Sequence, residues 1–181
     1  MTENLRATKY QDGTPIPDGT GVTPILPNTE WMYTYDNNPI YTSSYGKLYT
    51  HEVVKNTKEV CPVGYDVPTQ QHWLDLTNWL AGNTPSWAGK EAIALKGQYA
   101  GWQSIVGGQE VDYYGFNILP SGYITSAGSS GQFLYSKFWT HDSATGNNAQ
   151  RAYFLHNQNT VDVGIEANYQ GFSIRCVKVT P

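Results

Sequence analysis

The side chains able to do chemistry in this chain are few: two cysteines, four histidines and a scatter of carboxylates. Cys61 opens the turn-rich run C-P-V-G-Y-D-V-P, and Cys176 lies inside G-F-S-I-R-C-V-K-V, an alternating strand pattern near the chain end. Joined, they would close a loop on the order of 100 residues, worth roughly 4 to 5 kcal/mol in the chain-entropy description. A disulfide implies an oxidising compartment. The alternative is a pair of buried free thiols, since Cys is commonly buried even when unpaired. His51, His72, His141 and His156 show neither H-x-x-x-H nor H-E-x-x-H spacing, and two cysteines add little to them, so no metal site is expected.

The carboxylates are no more directive. Glu110 with Asp112, and Asp162 with Glu166, are pairs that a glycosidase could use, but that chemistry depends on a separation in space that sequence spacing does not set. Asp36, Asn37 and Asn38 could offer oxygens to a hard cation; before Pro39 they read instead as an Asx turn. The stretches G-Q-Y-A-G-W and A-G-S-S-G-Q lack the strand, tight turn and helix start of a phosphate-binding loop, and nucleophile elbows are absent. The expectation is a protein that is not an enzyme and holds no cofactor.

Recognition chemistry is better supplied. Aromatic residues match charged ones at 14% each, with Tyr the commonest, and a Tyr-rich, charge-poor surface suits adhesion. Tyr113, Tyr114, Tyr123, Tyr153 and Tyr169 fall on short strands and turns where alternation exposes some of them. Exposed Tyr beside Asn and Gln stacks on sugar rings or grips a protein epitope. Trp73, Trp79, Phe138 and Trp139 are read as core, with Trp73, Trp139 and Phe172 expected in one contiguous cluster. A net charge of −4 with singly scattered Lys and Arg argues against nucleic acid. No apolar run reaches the roughly 18 residues of a membrane span, so no direct membrane insertion is expected. Met1 leads straight into polar sequence without a signal peptide, so an exported chain is expected to have lost its leader or an upstream region.

These residues need elements to hold them, and 181 residues suit one core. Residues 10–38 are turn-rich, with D-G at Asp12 and Gly13, P-I-P at Pro15 to Pro17 and D-N-N-P at Asp36 to Pro39. The periodicity predicts a helix over 44–55, with Tyr45, Leu48, Tyr49 and Val53 on one face and Gly46 as a mild flaw. A second is predicted over 69–80, with Thr69 as N-cap, an apolar stripe of Trp73, Leu76 and Leu80, and Gly82 as the stop. Strand patterns fall at 113–119, 122–125, 132–139, 151–156 and 172–179. The fold class is α+β.

Several motifs in one order carry a family resemblance. T-E-N-L-R-A-T-K-Y-Q-D-G-T-P-I-P, Y-G-K-L-Y-T, C-P-V-G-Y-D-V-P-T-Q-Q-H-W-L-D-L with W-L-A-G, then G-F-N-I-L-P-S-G-Y, F-W-T and Y-Q-G-F-S-I-R-C-V-K resemble the Fibrobacter succinogenes major paralogous domain over nearly the whole chain. The resemblance implies a single C-type lectin-like domain over 1–181, similar to formylglycine-generating enzymes: two helices packed on small twisted antiparallel sheets with long irregular loops. It implies a setting on a bacterial surface, in a secreted protein or on a phage particle. The oxidase's late pair of reactive cysteines is missing, as are the lectin triads E-P-N, Q-P-D and W-N-D, so neither activity carries over.

Between F-W-T and the final strand the chain departs from the family pattern. There His141, Asp142, Arg151, Phe154, His156, Gln158, Asp162, Glu166, Asn168 and Tyr169 form a chemically diverse run. It resembles the variable region of retroelement-diversified proteins, whose mutable positions precede a G-F-x-[VI]-R strand matched here by Gly171, Phe172, Ile174 and Arg175. The expectation is a ligand face on irregular backbone across 141–169, taking a protein or glycan from another cell or surface. An ordinary loop of an ordinary paralogue is the alternative.

Overall fold

A computed structural model describes residues 1–22, 25–98, 100–103 and 111–179 of the chain. The first half alternates very short elements: β1 (Met32–Tyr33), α1 (Pro39–Tyr45), β2 (Leu48–Tyr49), α2 (His51–Lys55), β3 (Tyr65–Asp66), α3 (Gln70–Asn83) and α4 (Glu91–Leu95). The second half is strand: β4 (Tyr123–Thr125), β5 (Gly128–Ser130), β6 (Tyr135–Ser143), β7 (Asn148–Leu155), β8 (Asp162–Ala167) and β9 (Val177–Lys178). They build an antiparallel three-stranded sheet β6-β7-β8 and three antiparallel pairs, β1-β2, β3-β9 and β4-β5. The fold is mixed α+β.

Local chemistry explains most boundaries. Asn38 caps α1 by accepting from the Ile40 amide, with Pro39 at the first helical position, where its missing N–H is no loss. The helix predicted over 44–55 is broken in two, and Gly46 is the break. Its φ is +83°, and a Cβ there would lie 2.7 Å from Asn4 Cβ and 2.9 Å from Leu5 O. Only glycine takes that backbone without strain. Residues 48–49 then turn to strand and 51–55 to a second short helix.

Helix α3 follows its expected start. The Thr69 hydroxyl accepts from His72 N, and His72 Nδ1 accepts from Thr69 N, a reciprocal cap with His in the usual Glu position. Gly82 does not stop the helix, which runs to Asn83 with Thr84 as cap.

The sheet β6-β7-β8 organises two large apolar clusters. One holds Tyr49, Trp139, Phe172, Ile174 and the Cys61–Cys176 disulfide; the other holds Trp73, Leu80, Leu95, Ile118, Phe138 and Phe154. A single contiguous cluster of Trp73, Trp139 and Phe172 was expected. All three are buried, but Phe138 and Trp139 are neighbours on one strand and point to opposite faces. Trp139 stacks on Phe172 at 4.1 Å and donates its indole N–H to Tyr49 O at 2.7 Å, while Trp73 meets Phe138 and Phe154. Each side of the sheet therefore carries an apolar cluster.

The chain ends close on each other. Leu5 N donates to Ile174 O, β3 pairs with β9, and the disulfide ties the turn before β3 to the residue before β9. Of the strands predicted at 113–119 and 172–179, the first is a turn over 113–115 followed by a single bridge of Ile118 to Lys96, and the second is extended but joins a ladder only at Val177–Lys178. Gly171, Phe172 and Ser173 instead make single bridges to Ile124, Tyr49 and Phe138, so one segment serves three sheets. Residues 141–169, expected to be irregular, are largely β6, β7 and β8.

Candidate functional site

Strand alternation divides the ten predicted site residues. Arg151 and Tyr153 project from one face of β7. Register sets Arg151 opposite Trp139 and Gly164, Tyr153 opposite Lys137 and Asp162, and Glu166 opposite Ala149. Arg151 Nη1 reaches Asp162 Oδ2 at 2.7 Å, its Nε reaches Glu166 Oε2 at 3.4 Å, and Lys137 Nζ reaches Glu166 Oε1 at 3.2 Å. Gly164 leaves the guanidinium its room, since a Cβ there would come within 3.4 Å of Nη1. Lys137 also lies over the rings of Tyr123 at 4.1 Å, Phe172 at 5.0 Å and Tyr153 at 5.4 Å.

Two cations and two carboxylates thus neutralise one another on a partly desolvated face. Burial lowers the Lys137 ammonium below its ordinary range, against the pull of Glu166. Burial first, then the neighbouring Tyr135 and Tyr123, pushes the Tyr153 hydroxyl up to about 12. Asp162 and Glu166, the candidate acid–base pair, are both held by Arg151. Glu110, of the other pair, lies outside the described residues; Asp112 accepts from the Asn117 amide at 2.7 Å.

The remaining predicted residues scatter. Phe154 is fully buried against Trp73 and Phe138, so it belongs to the core and not to a ligand face. Asn168 is buried too, its backbone C=O accepting from His51 N and its N–H donating to Asn147 O. Both are corrections, and both follow from the segment being sheet and sheet edge. Asp142 Oδ2 accepts from Gln70 N at 2.5 Å, placing a carboxylate at the start of α3, where the helix dipole favours it. His141 is exposed beside a shallow pocket of about 360 Å³ that also touches Val54, Asp66 and Val67. His156 Nδ1 lies 3.4 Å from Gln103 O, the Gln158 carbonyl accepts from Lys96 Nζ, and Tyr169 packs against the cluster of Ile25, Tyr33, Leu48 and Ile124. Arg175 is buried, donating to Phe116 O, Asn4 Oδ1 and Asn117 O.

A different surface is open. Trp79, Tyr114, Tyr113 and Trp87 form a chain of rings with centroids 5.6, 4.9 and 5.6 Å apart. Trp79 is 51% exposed, Tyr113 64% and Tyr114 38%. Trp79 is expected in the core with Trp73, because a fold with few regular elements relies on large side chains for burial; the helix places it elsewhere. At 3.6 residues per turn, Leu80 returns to within about 20° of Trp73, while Trp79 falls about 120° away.

Short-range chemistry fixes these rings. The turn after α3 is held by Trp87 N on Thr84 O and Asn83 Nδ2 on Trp79 O. The Tyr113–Tyr114 turn is held by Asp112, whose C=O accepts from Gly115 N and whose Oδ1 accepts from Asn117 N, and by Tyr113 N on Ala94 O. Thr84 Oγ1 and Tyr114 Oη, 2.8 Å apart, join the two turns. Among the described residues no group of three or more His, Cys, Asp or Glu side chains could hold a metal ion.

The arrangement defines a small α+β domain, built from short helices and antiparallel sheets, with one disulfide tying Cys61, before β3, to Cys176, before β9. The chain belongs to the Fibrobacter succinogenes major domain family, whose model matches residues 1–178. No curated protein and no solved structure matches it.

Proposed function

We propose that this is a non-enzymatic recognition domain of an exported bacterial protein, binding a protein or glycan on another cell or surface. One observation carries the reading: Trp79, Tyr114 and Tyr113 stay exposed on backbone that two interlocked turns hold in place. Rigid, exposed aromatic side chains offer large contact area at little entropic cost on binding, and a soluble protein rarely leaves such a patch without use. Export is supported by the Cys61–Cys176 disulfide, because such bonds persist in oxidising compartments. The scaffold is read as C-type lectin-like on two grounds, the closing of the N-terminal segment on the last one through Leu5 N on Ile174 O and Met1 N on Cys176 O, and the packing of α3 on the sheet.

The binding face is thereby moved off the 141–169 segment, whose charges are spent on one another. The test is adhesion of beads carrying the intact domain to bacterial and host cell surfaces. Saturable adhesion that falls in the double variant Trp79→Ala, Tyr113→Ala is expected. Adhesion that is absent, or equal in wild type and variant, would leave a structural spacer in a larger surface assembly as the better reading.

A further inference from the structure

The sheet β6-β7-β8 has one edge closed and one edge open. Along β6, Gly122 N donates to Tyr135 O, Ser173 N to Lys137 O and Trp139 N to Ser173 O, so neighbouring segments take up that edge. The other edge is β8, and a hydrogen bond just beyond its end fixes which way its main chain points. Asn168 N donates to Asn147 O, and register sets Ala167 opposite Asn148 and Glu166 opposite Ala149. In an antiparallel ladder the N–H and C=O of one residue point to the same side, and successive residues point to opposite sides. Asn168, Glu166, Gly164 and Asp162 therefore turn their main-chain groups toward β7, in agreement with Arg151 Nη1 on Asp162 O. Val163, Ile165 and Ala167 turn theirs outward. Among the described residues nothing bonds the N–H or C=O of Val163 or Ile165, and the Ala167 carbonyl accepts only from Gln170 N.

A row of open amides and carbonyls recruits an extended strand, and folded proteins commonly blunt such an edge with Lys, Pro or a bulge. Here D-V-G-I-E-A contains neither Lys nor Pro, and its pairing with β7 runs without a shift. Ile165, near its middle, is 54% exposed. We propose that β8 pairs antiparallel with β8 of a second copy, centred on Ile165, so that one sheet runs through a two-fold dimer.

Charge selects the register. A two-fold pairing of the outward residues can be centred on Ile165 or moved one step either way. One step sets Asp162 of each copy opposite Glu166 of the other, and the opposite step sets Glu166 against Glu166; like charges directly opposite are destabilising. Centred on Ile165, Val163 faces Ala167, Asp162 faces Asn168 and Glu166 faces Gly164, so no like charges meet.

Charge also selects the occupant. The Glu166–Gly164 pair is of the kind without hydrogen bonds, whose side chains come closest. Gly164 offers no side chain there, and the guanidinium of Arg151 lies 3.4 Å from where its Cβ would stand. Each copy thus sets a carboxylate beside the other's arginine. An unrelated peptide does so only if it carries the same acid at the same place.

The experiment is sedimentation of the intact domain from the micromolar to the millimolar range, with amide hydrogen exchange measured at both ends of it. Dimer should grow with concentration, and exchange at Val163 and Ile165 should slow as it does. Ile165→Pro removes an outward N–H at a position where an edge strand accepts proline, and Ile165→Lys sets two ammonium groups opposite each other at the axis. Each should cut the association constant about tenfold or more, while Val63→Lys, on an exposed residue elsewhere, should leave it unchanged. A short thiol cross-linker should join Ile165→Cys to its own copy but not Asp162→Cys, whose two positions stand about 20 Å apart in this register. Thermal melts show that each variant is folded; should Ile165→Pro fail to fold, Ile165→Lys decides.

A monomer at every concentration overturns the proposal. So does a dimer that both Ile165→Lys and Ile165→Pro leave intact, since its interface then lies elsewhere. Cross-linking of Asp162→Cys in place of Ile165→Cys overturns the register.

Discussion

The charged face of β6-β7-β8 and the aromatic chain at the end of α3 carry the two most suggestive side-chain collections in the molecule, and they differ in one respect. On the sheet, Lys137, Arg151, Asp162 and Glu166 satisfy one another within the fold. On the other surface, Trp79 and Tyr113 leave half or more of their area in water. A polar group that already has its partners gains little from a ligand, because binding must first break what it has. An apolar ring held in water gains from any partner that covers it. Chemical diversity in sequence marked the first region, but unspent interaction marks the second.

The largest way to break this contrast is Phe154→Ala. Phe154 sits inside the segment whose sequence resembles a variable ligand face, yet it is fully buried between Trp73 and Phe138. Truncating a buried Phe costs about 3 to 5 kcal/mol, a large share of the roughly 5 to 15 kcal/mol that holds a domain together. Urea unfolding should show a variant that is barely folded or unfolded. A tolerated substitution would return the segment to the class of adaptable loops.

A pH titration tests the same sheet from beneath. His51 is buried, its Nε2 3.0 Å from Thr140 O on β6, and burial lowers its pKa from 6.5 to about 4. Between those values the unfolded chain binds the proton and the folded one does not. Stability is therefore full above pH 6.5 and declines as pH falls toward 4, with a total of about 3 kcal/mol at 1.36 kcal/mol per pH unit. Denaturant midpoints at pH 7, 5 and 4 should fall more steeply for the wild type than for His51→Gln. Parallel slopes would mean that the ring has access to water and that the sheet is less tightly covered.

Glu166→Gln probes the network itself. It removes the one carboxylate that contacts both Lys137 and Arg151 and leaves a buried ammonium among aromatic rings. The expected loss is about 1 to 3 kcal/mol, the range for a buried group deprived of its partner and less than a fully buried ion pair shows. Ligand binding should be unchanged. A Glu166→Gln variant of wild-type stability that no longer adheres would place the site on the sheet after all.

How much of this was legible before folding depends on range. Thr69 before Q-Q-H-W, the cysteine runs and the α+β class rest on local patterns, and α3, the disulfide and the mixed architecture follow them. The helix over 44–55 was lost because Gly46 faces Asn4 and Leu5, a contact far away in sequence that turns a mild flaw into a break. Residues 141–169, apart from the strand pattern at 151–156, read as an irregular ligand face because their side chains are chemically diverse, and N-N-A-Q-R-A-Y-F-L has no clean period-two alternation to mark a sheet face. Only register reveals that Arg151, Asp162 and Glu166 share that face with Lys137. Trp87 and Tyr114 meet through Tyr113 across segments that no short window contains.

The smallest expected effect sharpens the contrast most. Trp79→Ala removes a large side chain, but one that is 51% exposed and whose ring packs against Tyr114, itself exposed. Surface substitutions away from packing features change stability by no more than about 0.5 kcal/mol, so thermal and urea midpoints should stay close to wild type. Tyr113→Ala should behave likewise, because its turn is held by Asp112 and by its own backbone amide on Ala94 O, not by its ring. Removing so much aromatic surface at so little cost to the fold means that those rings are not kept for folding. If either variant instead lost several kcal/mol, the ring chain would be a buttress between α3 and the 112–115 turn, and the two regions would differ in exposure but not in purpose.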